Sequence, residues 1–283
     1  MPSYKEVLRN SQQELKEVGV YEQSAQLLML ELANQSAADL YMCYEEEMPS
    51  ELLVRYMEAF SRLKQQEPLQ YILGYQWFYG RQFIVDENVL IPRYETEELV
   101  ANVLADIDEY SPEGTVSMAD VGTGSGAIAI SLALEEPRVS MVASDISEEA
   151  LGVARKNNAN LEANVEFFQG DLLEPLIERG VKLDFLVSNP PYIPDSQVLE
   201  VSVKDFEPNV ALFGGVDGLY CYRRIFDRAR LVMKDRCILA FEIGYDQKEA
   251  LEALAKEAFV GDKVEVLKDI NGKDRMLFIY HNV

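Results

Sequence analysis

Hydrophobic residues in the first part of the chain recur at the three- and four-residue spacing of α-helices. One such stripe comprises Ala25, Leu28, Met29 and Leu32. A second comprises Leu52, Leu53, Tyr56, Met57, Phe60 and Leu63. Ser50 precedes the second stripe, where its hydroxyl can cap a helix. Stripes of this kind are typical of packing inside a small helical bundle, so we expect residues 1–67 to form an N-terminal helical domain.

The pattern changes between Pro68 and Pro92 to aromatic and β-branched residues with glycine punctuation. Trp77 and Phe78 precede Gly80, and Phe83 follows it. This texture is typical of a β-hairpin, so residues 68–92 are expected to form a hairpin linker between two domains. A helix is expected to begin near Glu95.

Short apolar runs alternate with helical patterns beyond Thr115. Strands are predicted over residues 116–121, 139–143, 165–169, 183–187 and 237–243. Helices are predicted from about Gly126 and Ser147, and over residues 220–233 and 247–259. Such alternation indicates βαβ units and a parallel, Rossmann-like sheet of the α/β class. Two closing strands, at residues 263–269 and 275–280, flank Asn271-Gly272, which predicts an antiparallel hairpin at the sheet edge.

Length, net charge and the absence of long apolar stretches limit the classes of function that the chain can have. The chain has 283 residues, 48% of them hydrophobic, which is enough for two domains with their own cores. The chain has 26 basic and 49 acidic residues, which gives a net charge of −23. Such a charge repels a phosphate backbone and disfavours a nucleic acid substrate. No apolar stretch approaches the roughly 20 residues that cross a bilayer, and the first residues do not resemble a signal peptide. We therefore expect a cytoplasmic protein without a membrane partner.

Metal and histidine chemistry are both disfavoured. Cys43, Cys221 and Cys237 lie far apart without CxxC spacing, and the single histidine, His281, is near the end of the chain. These residues offer no zinc ligand set, and no histidine is placed for a catalytic triad.

A glycine-rich segment follows the first predicted strand of the sheet and opens a helix. It reads Asp120-Val121-Gly122-Thr123-Gly124-Ser125-Gly126-Ala127. Glycines at a helix N-terminus let a ligand approach the backbone, and the same residues also satisfy the relaxed dinucleotide pattern. Asp145 ends the second strand, where its carboxylate can hold a ribose hydroxyl in either class of nucleotide.

Asp171 follows the third strand, where it can accept a hydrogen bond from an adenine amino group or simply cap a helix or turn. The glycine loop, Asp145 and Asp171 together describe one nucleoside lying across successive strand ends. S-adenosylmethionine fits this arrangement. Its ribose is expected at Asp145, its adenine near Asp171 and Leu172, and its methionine end at the glycine loop and Asp120.

A rigid polar corner follows the fourth strand and reads Asn189-Pro190-Pro191-Tyr192. The Asn189 side-chain oxygen and the Pro190 carbonyl can each accept one N–H of a substrate amide, holding its nitrogen toward a methyl donor. Pro191 stiffens the corner, and Tyr192 can cover one face of the planar group. We therefore expect Asn189, Pro190 and Tyr192 to be catalytic, with Asn189 also next to the cofactor. The alternative is a rigid turn without chemistry.

The corner and the glycine loop together resemble class I S-adenosylmethionine-dependent methyltransferases that modify exocyclic or amide nitrogens, a group that includes adenine-N6 DNA methylases. Three further segments are more specific: Pro68-Leu69-Gln70-Tyr71-Ile72-Leu73-Gly74, Val89-Leu90-Ile91-Pro92-Arg93-Tyr94-Glu95-Thr96-Glu97 and Ala211-Leu212-Phe213-Gly214-Gly215-Val216-Asp217-Gly218-Leu219. They are similar to the protein-(glutamine-N5) methyltransferases of peptide chain release factors, the HemK/PrmC family.

This resemblance implies a seven-stranded methyltransferase domain over residues 93–283 and an N-terminal domain that binds the release factor. It also implies that the substrate is the glutamine of the Gly-Gly-Gln loop in class I release factors, that S-adenosyl-L-homocysteine is the product, and that translation termination is modulated. A monomer is expected. Tyr94 stands where the family usually has proline. Arg93 is expected either to contact the release factor or to pair with Glu95 or Glu97, and Glu242 is a candidate for orienting the prolyl corner.

Three other functions stay open at this point. The first is a nucleic-acid amino-group methylase, which would call for a basic stripe. The second is an NAD-dependent dehydrogenase built on the glycine loop, which would leave the corner without a purpose. The third is a catalytically silent binding module.

Overall fold

The computed structural model describes residues 1–111 and 113–283. Within them the chain forms two compact units. The first comprises Met1–Tyr75 and Leu199–Phe206, and the second comprises Gln76–Val198 and Glu207–Val283. In the first unit the chain is helical, and the second contains the large sheet.

The α-helices are α1 (Tyr4–Glu17), α2 (Ser24–Ala33), α3 (Ala37–Met42), α4 (Ser50–Lys64), α5 (Leu69–Leu73), α6 (Tyr94–Tyr110), α7 (Ala127–Glu135), α8 (Glu148–Asn160), α9 (Glu174–Glu178), α10 (Val201–Lys204), α11 (Tyr220–Arg228) and α12 (Lys248–Ala258). The strands are β1 (Tyr75–Phe78), β2 (Arg81–Ile84), β3 (Val116–Val121), β4 (Val139–Asp145), β5 (Val165–Gln169), β6 (Leu183–Ser188), β7 (Met233–Glu242), β8 (Lys263–Lys268) and β9 (Asp274–His281). Short 3-10 turns cover Asn209–Ala211 and Ala229–Leu231.

The N-terminal helices pack around the two stripes that the sequence predicts. Leu28 and Met29 of α2 are fully buried, as is Tyr56 of α4, whose ring stacks on Phe60. The predicted cap at Ser50 is wrong. Pro49, with extended backbone angles, occupies the N-cap position, so Ser50 becomes the first helical residue and makes no side-chain cap.

The segment expected to be a hairpin is divided between a helix and a hairpin. Residues 69–73 form α5, which ends because Gly74 adopts a left-handed conformation with φ 82°. The hairpin prediction is confirmed for β1 and β2. Their connection is Tyr79-Gly80, with φ of 48° and 73°, and two positive φ values at the centre of a two-residue turn match the twist of hairpin strands.

The large sheet has seven strands in the order β5-β4-β3-β6-β7-β9-β8. Strands β3 to β7 run parallel, whereas β9 is antiparallel to both β7 and β8, which confirms the predicted edge hairpin. From β3 the chain proceeds outward through β4 to β5 and then returns to β6 on the other side of β3. The strand order therefore reverses between β3 and β6, and such a switch point is where open α/β sheets bind ligands.

Helices cover both faces of this sheet, giving three layers. Phe185 and Val187 of β6 pack on the face that α6 and α7 cover, and Leu186 packs on the opposite face with α11 and α12. Burial on both faces explains why the central strands read as continuous apolar runs.

Two neighbouring predicted boundaries are wrong by several residues. The helix expected over residues 220–233 ends at Arg228, and the strand expected from residue 237 begins at Met233 as part of β7. Met233 has helical spacing from the apolar residues of α11, but it pairs with Leu183 of β6 and so belongs to the strand. Among the residues that the structure describes, no helix is both long and apolar enough to cross a membrane.

Candidate active site

A cleft opens at the switch point between β3 and β6. We define the glycine loop as residues 122–126. The cleft is lined by residues 122–125 of this loop, by the first residues of α7, by Arg93 before α6, by Thr96 in the first turn of α6, and by Asn189. The glycine loop and Asn189 meet there because β3 and β6 are neighbours that end at the same edge. The two sequence motifs therefore share one cavity.

The glycine loop needs glycine for two different reasons. Gly122 and Gly124 have φ of 76° and 55°, and no atom lies within 4 Å of a Cβ built at either position, so their exposed faces can be approached closely. Gly126 differs, because a Cβ there would lie 2.8 Å from Cδ1 of Ile130 and 3.3 Å from Cβ of Ala154. The third glycine thus lets α7 pack against α8.

Asp120 is a fully buried carboxylate beneath this loop. Its Oδ2 accepts the Thr123 hydroxyl at 2.6 Å, and Oδ1 has no hydrogen-bond partner of good geometry among the described residues. Burial raises the pKa of Asp120 to about 7, although the Thr123 hydroxyl and the Ala129 N–H oppose the rise. A buried carboxylate oxygen without a well-placed donor is costly, so Oδ1 is suited to accept one. Asp120 itself is not among the residues that line the cleft.

Asp145 supports the loop from the end of β4. Its Oδ2 accepts the Gly124 N–H at 2.8 Å, and its Oδ1 accepts the Ser147 N–H at 2.9 Å. Burial raises the pKa of this carboxyl, and the backbone N–H groups oppose the rise. Each carboxylate oxygen has a second lone pair, so Asp145 can hold the loop and still accept a hydroxyl.

Asp171 and Leu172 follow β5, the next strand along from β4. Asp171 accepts two hydrogen bonds from the Arg224 guanidinium, at 3.0 and 2.7 Å, and it is not the N-cap of α9, which is Leu173. Leu172 has φ 51°, an unusual value for leucine, and its carbonyl accepts the Ser144 hydroxyl. Neither residue lines the cleft, and neither does Asp145. Asp145, Asp171 and Leu172 lie at or just after the ends of β4 and β5, outside the lining of the cleft.

The prolyl corner, residues 189–192, is tied to the sheet where β6 ends. The Ser188 hydroxyl donates to the Val121 carbonyl at 2.6 Å, which joins the ends of β6 and β3. Asn189 is half-buried and faces the cleft, whereas Pro190, Pro191 and Tyr192 do not line it. The Tyr192 hydroxyl lies 3.4 Å from Glu242 Oε1, and its carbonyl accepts Gln247 Nε2 at 2.9 Å.

A second loop, residues 211–219, braces the corner from outside. The Ile193 N–H donates to the Leu212 carbonyl at 3.0 Å, and the Gly214 N–H donates to the Ile193 carbonyl at 2.8 Å. A Cβ at Gly214 would lie 2.4 Å from the Pro191 oxygen, and one at Gly218 would lie 2.2 Å from the Tyr192 oxygen. These contacts explain Gly214 and Gly218, because a side chain at either position would push the corner away.

Asn189 also contacts a polar pair that sequence reasoning did not assemble. Its Nδ2 donates to Thr96 Oγ1 at 3.3 Å, and Thr96 Oγ1 donates to Glu242 Oε2 at 2.6 Å. Burial raises the pKa of Glu242, and the Thr96 hydroxyl, Arg275 and the Tyr192 hydroxyl oppose the rise. Thr96 lies in the segment that resembles the family, but only the fold brings it to Asn189.

Arg93 pairs with neither Glu95 nor Glu97, so that part of the prediction is wrong. Its Nη2 lies 2.6 Å from Oε1 of Glu207, a buried residue whose Oε2 accepts the Ile91 N–H. Arg93 is the extended N-cap residue of α6, whereas Glu97 turns to accept the Tyr79 N–H.

Tyr94 is the first helical residue of α6. Proline is favoured at this position because the N–H there has no partner within the helix. Tyrosine leaves that N–H in place, and the helix still begins at this residue.

Asn157 is another residue that the sequence did not single out. It is buried on α8, accepts the Ile84 N–H at 2.7 Å, and donates to the carbonyls of Ile84 and Ser125. It thereby joins β2 to the glycine loop. A polar residue on a helix gives no local signal of such a role.

In the described part of the chain, no group of three or more histidine, cysteine, aspartate or glutamate residues is arranged to hold a metal ion. Cys43, Cys221 and Cys237 are free thiols.

Comparison with known proteins places the chain in a family. Residues 6–74 match the PrmC N-terminal domain, and residues 99–206 match the Methyltransferase small domain. The chain is 46% identical over 275 residues to the release factor glutamine methyltransferase of Bacillus subtilis, covering 96% of both chains. It is 38% identical over 279 residues to the Staphylococcus aureus enzyme of that name, covering 98% of this chain and 99% of the relative.

Solved structures agree on the fold alone. The hMettl16 catalytic domain superposes with a TM-score of 0.54 at 16% identity, covering 82% of this chain and 81% of that one. A methyltransferase from Pyrococcus furiosus gives a TM-score of 0.51 at 14% identity, covering 83% of this chain and 100% of that one. Sequence identity over nearly the whole length carries the closer assignment: the chain belongs to the family of release factor glutamine methyltransferases, the HemK/PrmC family that its motifs indicate.

Proposed function

We propose that this protein transfers a methyl group from S-adenosylmethionine to the side-chain amide nitrogen of the glutamine in the Gly-Gly-Gln motif of class I peptide chain release factors, and so modulates translation termination. One observation carries the proposal. Asn189 and the glycine loop line the same cleft at the switch point of the sheet. The relatives at 38% and 46% identity are named release factor glutamine methyltransferases, which supports the proposed acceptor.

The residues present fit S-adenosylmethionine. The open faces of Gly122 and Gly124 leave room against the backbone, and the unpaired Oδ1 of Asp120 suits the ammonium group of the methionine end. Thr123, Ser125 and Gly126 complete the loop. Asp145 would accept a ribose hydroxyl, and Asp171 and Leu172 would border the adenine. Asp171 would do so with the lone pairs that Arg224 leaves free. When bound, the cofactor supplies a methyl group on a positively charged sulfur.

The protein's task on the acceptor side is to orient a poor nucleophile. The lone pair of an amide nitrogen is delocalised into its carbonyl, so the nitrogen must be held with that lone pair toward the methyl group. The Asn189 Oδ1 and the Pro190 carbonyl would each accept one N–H of the glutamine. Pro191 keeps the corner rigid, and the Tyr192 ring would limit rotation of the carboxamide.

The proposed methyl transfer does not need a catalytic base. A bond forms from nitrogen to carbon as the bond from carbon to sulfur breaks, giving S-adenosyl-L-homocysteine. The methylated nitrogen is then strongly acidic and releases one proton to solvent or to a neighbouring acceptor. No histidine is required.

Recognition of the larger partner would use more of the chain. We propose that the helical domain of residues 1–67 binds the release factor, with residues 68–92 as the linker and residues 93–283 as the methyltransferase domain. Arg93 lines the cleft, and its side chain remains 39% exposed while paired with Glu207. Its guanidinium has further N–H donors for the factor's loop. We further propose that the protein acts as a cytoplasmic monomer.

The proposal is tested by offering labelled S-adenosylmethionine with four acceptors. These are a class I release factor, the same factor with alanine in place of the Gly-Gly-Gln glutamine, duplex DNA and ribosomal RNA. We expect about one methyl group per molecule of the first factor, mapped by peptide mass spectrometry to that glutamine, and none on the others. Label on the alanine variant or on nucleic acid would overturn the assignment.

A further inference from the structure

Three buried polar groups stand in a row behind Asn189. The Asn189 Nδ2 lies 3.3 Å from Thr96 Oγ1, which lies 2.6 Å from Oε2 of Glu242. The other carboxylate oxygen of Glu242 lies 3.4 Å from the Tyr192 hydroxyl. Thr96 is 4% exposed and Glu242 is 2% exposed, so water does not substitute freely for any of these partners.

The direction of these hydrogen bonds follows from the chemistry of Glu242. An ionised carboxylate only accepts hydrogen bonds, and here each of its oxygens faces a hydroxyl. When Glu242 is ionised, the single hydroxyl proton of Thr96 is therefore committed to it. Thr96 Oγ1 can then only accept from Asn189, so the NH2 end of the Asn189 amide must face Thr96.

This direction determines what Asn189 offers the substrate. The two ends of an asparagine amide have nearly the same shape, and their assignment rests on hydrogen-bond partners. With the NH2 end held by Thr96, the carbonyl end is left for the N–H of a substrate carboxamide. A flipped Asn189 would instead set two N–H donors against each other and remove one of the two acceptors that orient the nucleophile.

We propose that Glu242 and Thr96 are positioning residues that fix the orientation of the Asn189 amide and thereby make it an acceptor for the substrate nitrogen. The inference rests on the proposed function, because it assumes an N–H-bearing acceptor at Asn189. It assigns a purpose to Thr96 and gives Glu242 a defined action on the corner.

Protonation of Glu242 would reverse the donor–acceptor direction of the hydrogen bonds from Glu242 through Thr96 to Asn189. A neutral carboxyl can donate to Thr96, whose hydroxyl would then be free to donate to Asn189 and favour the flipped amide. The groups facing Glu242 are the Tyr192 and Thr96 hydroxyls, Arg275 and Glu95, and Tyr222 donates to its backbone carbonyl. Because burial raises the pKa of Glu242, we expect kcat to fall on the acid side of its pH profile.

The test compares Thr96→Val, Thr96→Ser and Glu242→Gln, with Thr115→Val at an exposed position as the matched control. We expect Thr96→Val to lower kcat about 10- to 100-fold, the effect of one misdirected hydrogen bond, while S-adenosylmethionine affinity stays within about three-fold. Thr96→Ser keeps the hydroxyl and should retain kcat within about three-fold. Thr115→Val should leave kcat unchanged.

Glu242→Gln supplies a readout that a purely structural role would not move. Its amide keeps the shape but can both accept and donate, so kcat should fall and the acid limb of the pH profile should disappear. Because both changes interrupt one row, Thr96→Val with Glu242→Gln should be little worse than Thr96→Val alone. An acid limb that survives Glu242→Gln, or fully additive losses, would overturn the proposal.

Neutron diffraction of the wild-type crystal in heavy water separates this inference from the proposed function. It should place the hydroxyl deuteron on Thr96 Oγ1, directed at Oε2 of Glu242, and two deuterons on the Asn189 atom nearest Thr96. A deuteron bonded to Glu242, or two deuterons on the Asn189 atom farther from Thr96, would overturn the inference even if the release factor is methylated. Failure to methylate the factor, with the deuterons as described, would instead contradict the function.

Discussion

At the scale of single residues, Asp120 links burial to cofactor affinity. Burial raises the pKa of this carboxyl to about 7 from its ordinary value of 3.8. Below the ordinary value it is protonated whether the chain is folded or not. As pH rises between the two values only the unfolded chain ionises, so the folded state loses stability over that window.

S-adenosylmethionine binding should therefore strengthen with pH. An ammonium group favours the ionised form of Asp120, so affinity should rise about ten-fold from one pH unit below the raised pKa to one above it. Titration calorimetry in buffers of different ionisation enthalpy should detect proton release on binding. Asp120→Asn should remove both effects. Binding that is independent of pH in the wild type would exclude Asp120 from the site.

Asp145 is the second residue whose role can be measured directly. Asp145→Ala should weaken S-adenosylmethionine binding by about 1.5–3 kcal/mol, since it removes the proposed ribose acceptor and the group that holds the Gly124 N–H. Asp108→Ala is the control, because that side chain is 82% exposed. Equal affinities for the two variants, measured by calorimetry, would contradict the assignment.

The sequence indicated a residue's role only where that role depends on nearby residues in the chain. Asp120, Asp145, Asp171 and Asn189 could be singled out as candidates because each lies within the last two residues of a predictable strand or just after one. The Glu207 partner of Arg93 lies 114 residues away, so spacing favoured the nearby acidic residues instead. Thr96 and Asn157 owe their roles to tertiary contacts alone.

At the scale of elements, the loop of residues 211–219 fixes the shape of the prolyl corner. Gly214→Ala would place a Cβ 2.4 Å from the Pro191 oxygen, so backbone must move. We expect unfolding free energy to fall by about 1–3 kcal/mol and methyl transfer to fall with it, measured by denaturant titration and initial rates.

The matched control for this prediction is Gly152→Ala in α8, where no atom lies within 4 Å of the new Cβ. Alanine inside a helix should stabilise the protein by about 0.5–1 kcal/mol without changing the rate. If Gly214→Ala behaved like this control, the loop would not brace the corner.

Helices and strands were predictable where a clear hydrophobic pattern ends at glycine or at turn residues. Strands β3 and β5 have the predicted bounds, since apolar runs there end at glycine or at turn residues. Helix α5 was missed because five residues give too little periodicity to separate a helix from a strand. The start of β7 was misplaced because pairing with β6 is a long-range effect.

At the scale of the whole molecule, net charge and sequence identity point to the same class of substrate. A net charge of −23 opposes a phosphate backbone, although the prolyl corner alone is equally suited to an adenine amino group. Identity to release factor glutamine methyltransferases along nearly the whole chain favours the protein substrate.

The central claim is that the corner at Asn189 orients a glutamine carboxamide toward the methyl donor. Its most direct test is methylation of a class I release factor by Asn189→Ala, beside Asn160→Ala at an exposed position as control. We predict that the Asn189 variant loses at least about 100-fold in kcat while S-adenosylmethionine affinity stays within several-fold, and that the control matches the wild type. Near-normal turnover by Asn189→Ala would contradict the account.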